Sequence, residues 1–421
     1  MSVQKMTKTD EVKNLSSLDM PEPLTAFSLK RPRVRIYMLA PLQFGGGGEA
    51  SAIGLANFLV SRGLHVELYY DSSNNDIKRK DDKLFRKEIK FEYLSDEYLH
   101  FLRLPLSKQL FHPLPRLVRN EKETINLIFI FRLPPLKYLK QIVNNNAKVI
   151  FLLHGISLED RSPPNLYVVA YQIFLRLQLT RTSRLLRMDN FHFQALTQNL
   201  GKKLINFGIK SDQIAVIPSW FVDCEKYIVG NNEDEFTVLF MARMERLQKG
   251  LDLLVNIIKK LAKAGPLAHF RFLLIGSGTD YSMVENLSKS YDFVKIAGYL
   301  SEEEKIKAFS ECNLMVNTSF VEPWGLTIVE SLFSGLFILS TPVAGPREIL
   351  SESTAFGEIL GFGAKGFVKS ILYQYDKWLK SKADFYQEKL HRREKAIELH
   401  GKNIVWEQYY RFIDDVYGND Q

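Results

Sequence analysis

The sequence predicts an α/β protein made of two separate units, each a parallel sheet flanked by helices. Short β-rich apolar runs alternate with longer segments of helical period along most of the chain, which is the pattern of βαβ units. Its 421 residues allow two or three domains at roughly 150 residues each. Between the two series of strands, residues 218–234 carry Pro218, the pair Asn231-Asn232 and the start of the acidic run Glu233-Asp234-Glu235, a linker composition that puts the boundary near residue 225.

In the first unit, strands are expected at 34–39, 66–70, 127–131 and 149–153, with a short one near 215–217, and a helix at 50–61 ending near Gly63. The second unit places strands at 237–241, 270–275, 294–297, 314–317 and 336–340. Near the end, Val405, Tyr409, Phe412, Ile413 and Val416 recur at helical spacing with Asp414 and Asp415 on the other side, so this helix needs a surface to cover. The expected organisation is a flexible lead-in at 1–30, an N-terminal unit at 31–222, a C-terminal unit at 223–400 and a closing helix at 401–421. No internal repeat or low-complexity tract occurs.

With 46% hydrophobic and 25% charged residues the chain is ordinary globular material, neither fibrous nor disordered. Its two cysteines, Cys224 and Cys312, form no CxxC pair, which argues against a disulfide framework or structural zinc and for a reducing, cytoplasmic compartment. Residues 1–29 lack the apolar core of a secretion signal. The most apolar tract, 166–186, is broken by Gln172, Arg176, Gln178 and Arg181, so no membrane span is expected where about 20 apolar residues are needed. The net charge of +8 is regional: residues 101–220 hold 17 Lys and Arg against 6 Asp and Glu, whereas residues 221–421 hold 24 against 28. The basic region should attract an anion, and on charge alone nucleic acid, an acidic lipid surface and a phosphorylated substrate all qualify.

Three segments carry chemistry. Phe44-Gly45-Gly46-Gly47-Gly48-Glu49 lies between a strand and a helix, where glycines let backbone N–H groups approach a phosphate or sugar; a merely flexible turn is the plain alternative. Gly45-x-Gly47-x-x-Ala50, with Glu67 further on, also satisfies the dinucleotide pattern, although a four-glycine run satisfies many patterns. The segment from Met241 to Gly250 puts Arg243, Arg246 and Lys249 after a strand's carboxyl end, where open sheets bind ligands and two cations suit a diphosphate; a solvated basic loop is the alternative. In Ser319 to Leu332, Pro323 and Gly325 feed a helix N-terminus that Gly335 is placed to end, with Glu322 before the helix and Glu330 within it. Carboxylates accept hydrogen bonds from sugar hydroxyls, and the amides near Gly325 and Leu326 can hold phosphate, so one element could grip a nucleotide sugar. Glu330 sits among Ile328, Val329 and Leu332, which argues against a solvent-facing role.

The E-x7-E spacing of Glu322 and Glu330 stands in order with the Arg243/Lys249 loop, Leu274-Ile275-Gly276-Ser277-Gly278, Ala297-Gly298-Tyr299 and the N-terminal glycine run. Together they resemble glycosyltransferase family 4 over about residues 34–417. The resemblance implies the GT-B fold, with two Rossmann-like domains facing across a cleft and the C-terminal helix returning to the N-terminal domain. It further implies retaining transfer from a nucleotide diphosphate sugar, with no metal and no cofactor. Arg243 and Lys249 would neutralise the diphosphate, Glu330 would bind the ribose, Glu322 the donor sugar, and His154 in Leu153-His154-Gly155 would point at the transferred sugar. Gly46, Gly47, Gly48, Gly276, Gly298, Tyr299, Trp324, Gly325 and Leu326 would complete the donor site. The family's usual Glu-Gly-Phe-Gly stands here as Glu322-Pro323-Trp324-Gly325, and the longer Arg243 to Lys249 spacing leaves Arg246 as a further diphosphate candidate.

Residues 101–119 and 166–188 interleave arginine and lysine with apolar side chains and contain no acid. They read either as helices packed on a sheet or as segments at an anionic membrane surface, the inner face, where the acceptor would be lipid-linked or a glycan. Other classes are a nicotinamide-dependent oxidoreductase built on the glycine run, an epimerase or phosphorylase of the same fold, and a non-catalytic membrane-bound relative. Nucleic acid has charge alone behind it and is not expected as a partner.

Overall fold

A computed structural model describes residues 33–38, 47–70, 89–93, 124–129, 136–144, 147–154, 156, 158, 165–219, 223–265 and 267–418. The lead-in, Gly46 and the basic segment 101–119 lie outside these. Seven strands form the first sheet: β1 (Arg33–Met38), β2 (His65–Tyr70), β3 (Lys90–Tyr93), β4 (Thr124–Phe129), β5 (Val149–Leu152), β6 (Phe191–Ala195) and β7 (Ile214–Val216), in the order β3-β2-β1-β4-β5-β6-β7. Every pairing is parallel. Parallel neighbours require crossovers, and α1 (Gly47–Ser61), α2 (Leu136–Asn144), α3 (Leu166–Leu186) and α4 (Gln198–Asn206) lie on these connections. Central strands are covered on both faces, which is why Ile125, Asn126, Leu127, Ile128 and Phe129 are all buried along β4 without alternation.

The second sheet takes β8 (Phe236–Met241), β9 (Phe270–Ile275), β10 (Val294–Gly298), β11 (Leu314–Asn317), β12 (Phe337–Ser340) and β13 (Gly357–Ile359) in the order β10-β9-β8-β11-β12-β13, again all parallel. Its helices are α5 (Arg246–Lys249), α6 (Leu251–Ala262), α7 (Tyr281–Ser290), α8 (Glu302–Glu311), α9 (Leu326–Phe333), α10 (Ala344–Ser351), α11 (Ala364–Lys380) and α12 (Lys382–His400). In each sheet the order reverses beside the first strand, between β1 and β4 and between β8 and β11. Ligands of open α/β sheets bind outside the strands' carboxyl ends at such reversals, so the loops leaving β1, β8 and β11 are the ones to inspect.

The closing helix α13 (Lys402–Gly418) packs on the first unit: Trp406 lies 4.8 Å from Phe58 between ring centroids, Arg62 Nη2 is 3.6 Å from Glu407 Oε2, and Lys148 Nζ donates to Val416 O at 3.1 Å. It buries Val405, Tyr409, Phe412, Ile413 and Val416, each contributing about 1.5–3 kcal/mol. Strands β3, β6 and β13 were not expected from the sequence. Nor is 218–234 a free tether throughout: Lys389 from α12 donates to Gly230 O and Cys312 O, both at 2.8 Å, which pins its later part to the second unit.

Candidate active site

At the first sheet, α1 begins inside the glycine run, so Gly47 and Gly48 are its first turn rather than the loop before it. The orphan amides of a helix start are therefore glycine amides. Ser51, one turn on, brings its Oγ to 3.2 Å from His154 Nδ1, and the imidazole lies 4.9 Å from the Phe129 ring between centroids. Thus the helix after β1 and the loop after β5 meet at the histidine. Burial drives His154 down to a pKa of about 3, so it is a neutral imidazole at physiological pH. Glu67, the candidate ribose acid of a dinucleotide site, lies within β2 and is committed elsewhere. Arg35 Nε donates to it at 2.7 Å and Tyr69 Oη at 3.2 Å; burial works to raise its pKa, but these donors and the arginine charges hold it below the usual carboxylate value.

At the second sheet the carboxyl-end loops tie together. Lys249 Nζ donates to Glu322 Oε2 at 2.6 Å, with both side chains 17% exposed, so the loop after β8 meets the loop after β11. Backbone bonds reinforce the junction: Phe320 N donates to Gln248 O at 2.7 Å, and Thr318 Oγ1 to Lys249 O at 2.8 Å. Gly325 caps α9 in the left-handed region, and the amides of Leu326 and Thr327 open the helix beside Glu322. Arg243 is 65% exposed, with Glu245 Oε2 at 3.5 Å, and is the most open cation of the loop; Arg246 Nε lies 3.3 Å from Asp252 Oδ2 and points its charge there. Gly276 N donates to Gly298 O at 2.7 Å, joining the ends of β9 and β10, and Tyr299 stands 70% exposed next to them.

Two residues depart from their expected surroundings. Trp324 is buried in the core, edge-on to His400 at 5.8 Å between centroids, so its indole is not an open wall of the site. Glu330 is buried and already engaged: Tyr227 Oη donates to its Oε1 at 2.9 Å and Lys305 Nζ at 2.8 Å. Burial raises the Glu330 pKa, against the pull of Lys305 and Tyr227. Neither Tyr227 nor Lys305 was expected. Lys305 sits in a Glu-rich helix that reads as solvated, and its one signal was the apolar Ile306 and Phe309 beside it; Tyr227 gave none.

The two groups meet through Asn165, which caps α3 and donates from Nδ2 to Leu247 O at 2.9 Å, joining a loop of the first unit to the cationic loop of the second. On the neighbouring contact, Glu348 Oε1 accepts from Gln198 N at 2.6 Å, placing a carboxylate at the N-terminus of α4.

Against this geometry, residues 224–391 match the model of the family glycosyl transferases group 1. One subunit of the human phosphatidylinositol N-acetylglucosaminyltransferase is 30% identical over 123 residues, 28% of this chain and 25% of that protein. Alpha-monoglucosyldiacylglycerol synthase of Acholeplasma laidlawii is 28% identical over 114 residues, 26% of this chain and 28% of that one. The matched stretch thus spans about a quarter of these curated relatives. The crystal structure of Anabaena Alr3699/HepE in complex with UDP superposes with a TM-score of 0.64 at 14% identity, over 90% of this chain and 99% of that chain. The fold is therefore the two-domain GT-B architecture.

Proposed function

We propose that the protein is a retaining glycosyltransferase that moves a sugar from a nucleotide diphosphate donor to a hydroxyl of a lipid-linked acceptor. The observation that carries the reading is the Lys249–Glu322 contact at the mouth of α9, with Arg243 exposed on the same loop. Lysine, arginine and a helix N-terminus around one point suit a leaving diphosphate, and charge stabilisation there is the largest catalytic contribution expected of such a site. Glu322 is within reach of donor-sugar hydroxyls, and Glu330, held by Lys305 and Tyr227, keeps its second oxygen for the ribose. His154 serves as a neutral hydrogen-bonding group at the transferred sugar.

In this reading the leaving phosphate oxygen accepts the acceptor hydroxyl's proton as the new bond forms on the same face of the sugar. The diphosphate charge is met by side chains and amides, so a chelator leaves turnover unchanged. A lipid-linked acceptor draws support from the basic N-terminal unit and from two relatives named for a phosphatidylinositol and a diacylglycerol product. Thermal-shift and hydrolysis screening of nucleotide sugars against wild type and Glu330→Ala tests the reading: one donor should stabilise the protein and release nucleotide, more weakly in the variant. NMR of the product anomer reports retention. No response to any nucleotide sugar, with stabilisation by NADH instead, overturns it.

A further inference from the structure

The helix α3 has two apolar faces. Val168, Leu175, Leu179 and Leu186 are buried on the first unit, as expected for a helix covering a sheet. On the opposite face Leu166, Ile173 and Leu177 recur at helical spacing and are 87%, 55% and 53% exposed, flanked by exposed Tyr167 and Phe174. A surface helix normally turns charge outward, and one that is apolar all round is normally buried. The same outward side carries Arg176 beside Leu177 and, past Leu177, Arg181, Arg184 and Arg187, all exposed, with Arg187 also donating to Phe207 O at 3.2 Å, and no acid occurs from 166 to 188. The hydroxyls of Thr180 and Ser183 donate to Arg176 O and Thr180 O within the helix, so they do not require water as partner.

We propose that the outer face of α3 is a docking surface for a bilayer containing anionic phospholipid, with the helix lying in the interface plane. Apolar side chains enter the headgroup boundary and the arginines meet lipid phosphates, the arrangement by which interfacial helices bind. Charge selects this occupant, because a second copy docking through the same face would bring the same arginines and no carboxylate to face them. Among the described residues no helix is long and apolar enough to cross a membrane, and α3 lies along one over about 31 Å. Its N-terminal end, where the apolar side chains are, is the end that Asn165 fastens to the Arg243–Lys249 loop. A docked bilayer therefore touches the protein beside the cationic loop. The inference deepens the proposed lipid-linked acceptor, and its test does not depend on turnover.

Flotation with phosphatidylcholine vesicles, with and without phosphatidylglycerol, decides it. The full chain should float with anionic vesicles at low salt and detach at high salt. R181Q/R184Q should reduce partitioning about 25-fold, at about fivefold per arginine. I173E/L177E should remain in the soluble fraction with an unchanged melting temperature, since both sites are exposed. Failure of wild type to float, equal flotation of I173E/L177E, or a wild-type dimer that this variant turns into a monomer overturns the proposal. Nucleotide release from a soluble donor is read in parallel: its absence overturns the glycosyltransferase reading while vesicle binding alone keeps the docking surface.

Discussion

Lys305 Nζ lies 2.8 Å from Glu330 Oε1 and 2.7 Å from Glu302 Oε2, so a lysine of α8 holds the buried carboxylate of α9. Burial alone would lower the lysine's pKa, but the two carboxylates raise it overall. Removing one partner of a buried pair strands the other charge, at a cost of about 3–5 kcal/mol. Lys305→Met should therefore destabilise the fold by about 3 kcal/mol, and Lys305→Met/Glu330→Gln should recover most of that, because the stranded charge is gone. The pH sign follows. With its pKa raised above the ordinary 4.5, Glu330 binds its proton more readily folded than unfolded, so the single variant is least destabilised at low pH and loses stability as pH rises. Urea midpoints at two pH values check this; a double variant no more stable than Lys305→Met refutes it.

The Lys249–Glu322 contact predicts a kinetic asymmetry. In the proposed reaction Lys249 meets the charge that grows on the leaving diphosphate, so Lys249→Ala should lower kcat about 100- to 1000-fold, as loss of one preorganised donor does. Glu322→Gln keeps the shape and frees the lysine, so nucleotide diphosphate alone should bind at least as tightly while turnover of the nucleotide sugar falls. Calorimetry with the diphosphate and initial rates with the donor separate the two effects. Weaker diphosphate binding by Glu322→Gln would show that the carboxylate does not compete for Lys249.

His154 predicts a stability slope. Folded, it stays neutral down to about 3, whereas unfolded it protonates near the ordinary 6.5. The unfolded chain thus binds the extra proton between those values, and stability is lost as pH falls through that window, by about 2 kcal/mol at pH 5. His154→Asn, which keeps a donor toward Ser51, should flatten that slope. NMR of the imidazole should show no titration of His154 between pH 5 and 8; a midpoint near 6.5 would contradict the buried neutral ring.

Legibility followed the physics of each element. Doubly covered strands such as β5 and β12 are largely apolar runs and could be read directly, as could the tight Gly-Leu start of α9. Strand β6 carries His192 and Gln194, the latter donating to Ile217 O, and so showed no apolar run, while β3 and β13 are short edge strands. Glu322 and Lys249 were each legible as candidates because both follow strand carboxyl ends, but their direct contact was not expected from the sequence. Lys305 and Tyr227 reach Glu330 from a helix and from the interdomain segment, and only tertiary packing brings them there. The apolar and basic character of α3 was legible, but a sequence shows that a helix has two apolar sides and not which one is covered.

Two glycines at the carboxyl ends of β9 and β10 separate backbone strain from crowding. Both take positive φ, Gly276 at 131° and Gly298 at 68°. A Cβ on Gly276 would stand 2.0 Å from Ala242 O, a backbone atom that cannot yield without shifting the end of β8, whereas a Cβ on Gly298 meets nothing within 4 Å. Gly298→Ala should therefore cost only the left-handed strain, about 1 kcal/mol, and keep donor binding if the base is met through backbone there. Gly276→Ala adds the collision to comparable strain and should cost well over 3 kcal/mol or prevent folding. Thermal melts of both variants, with donor titration of Gly298→Ala, check the contrast. Equal destabilisation would mean that the β8 and β9 ends can separate, which the Met244 N to Ser277 O bond at 2.8 Å and the Ala242 N to Ile275 O bond at 3.2 Å oppose.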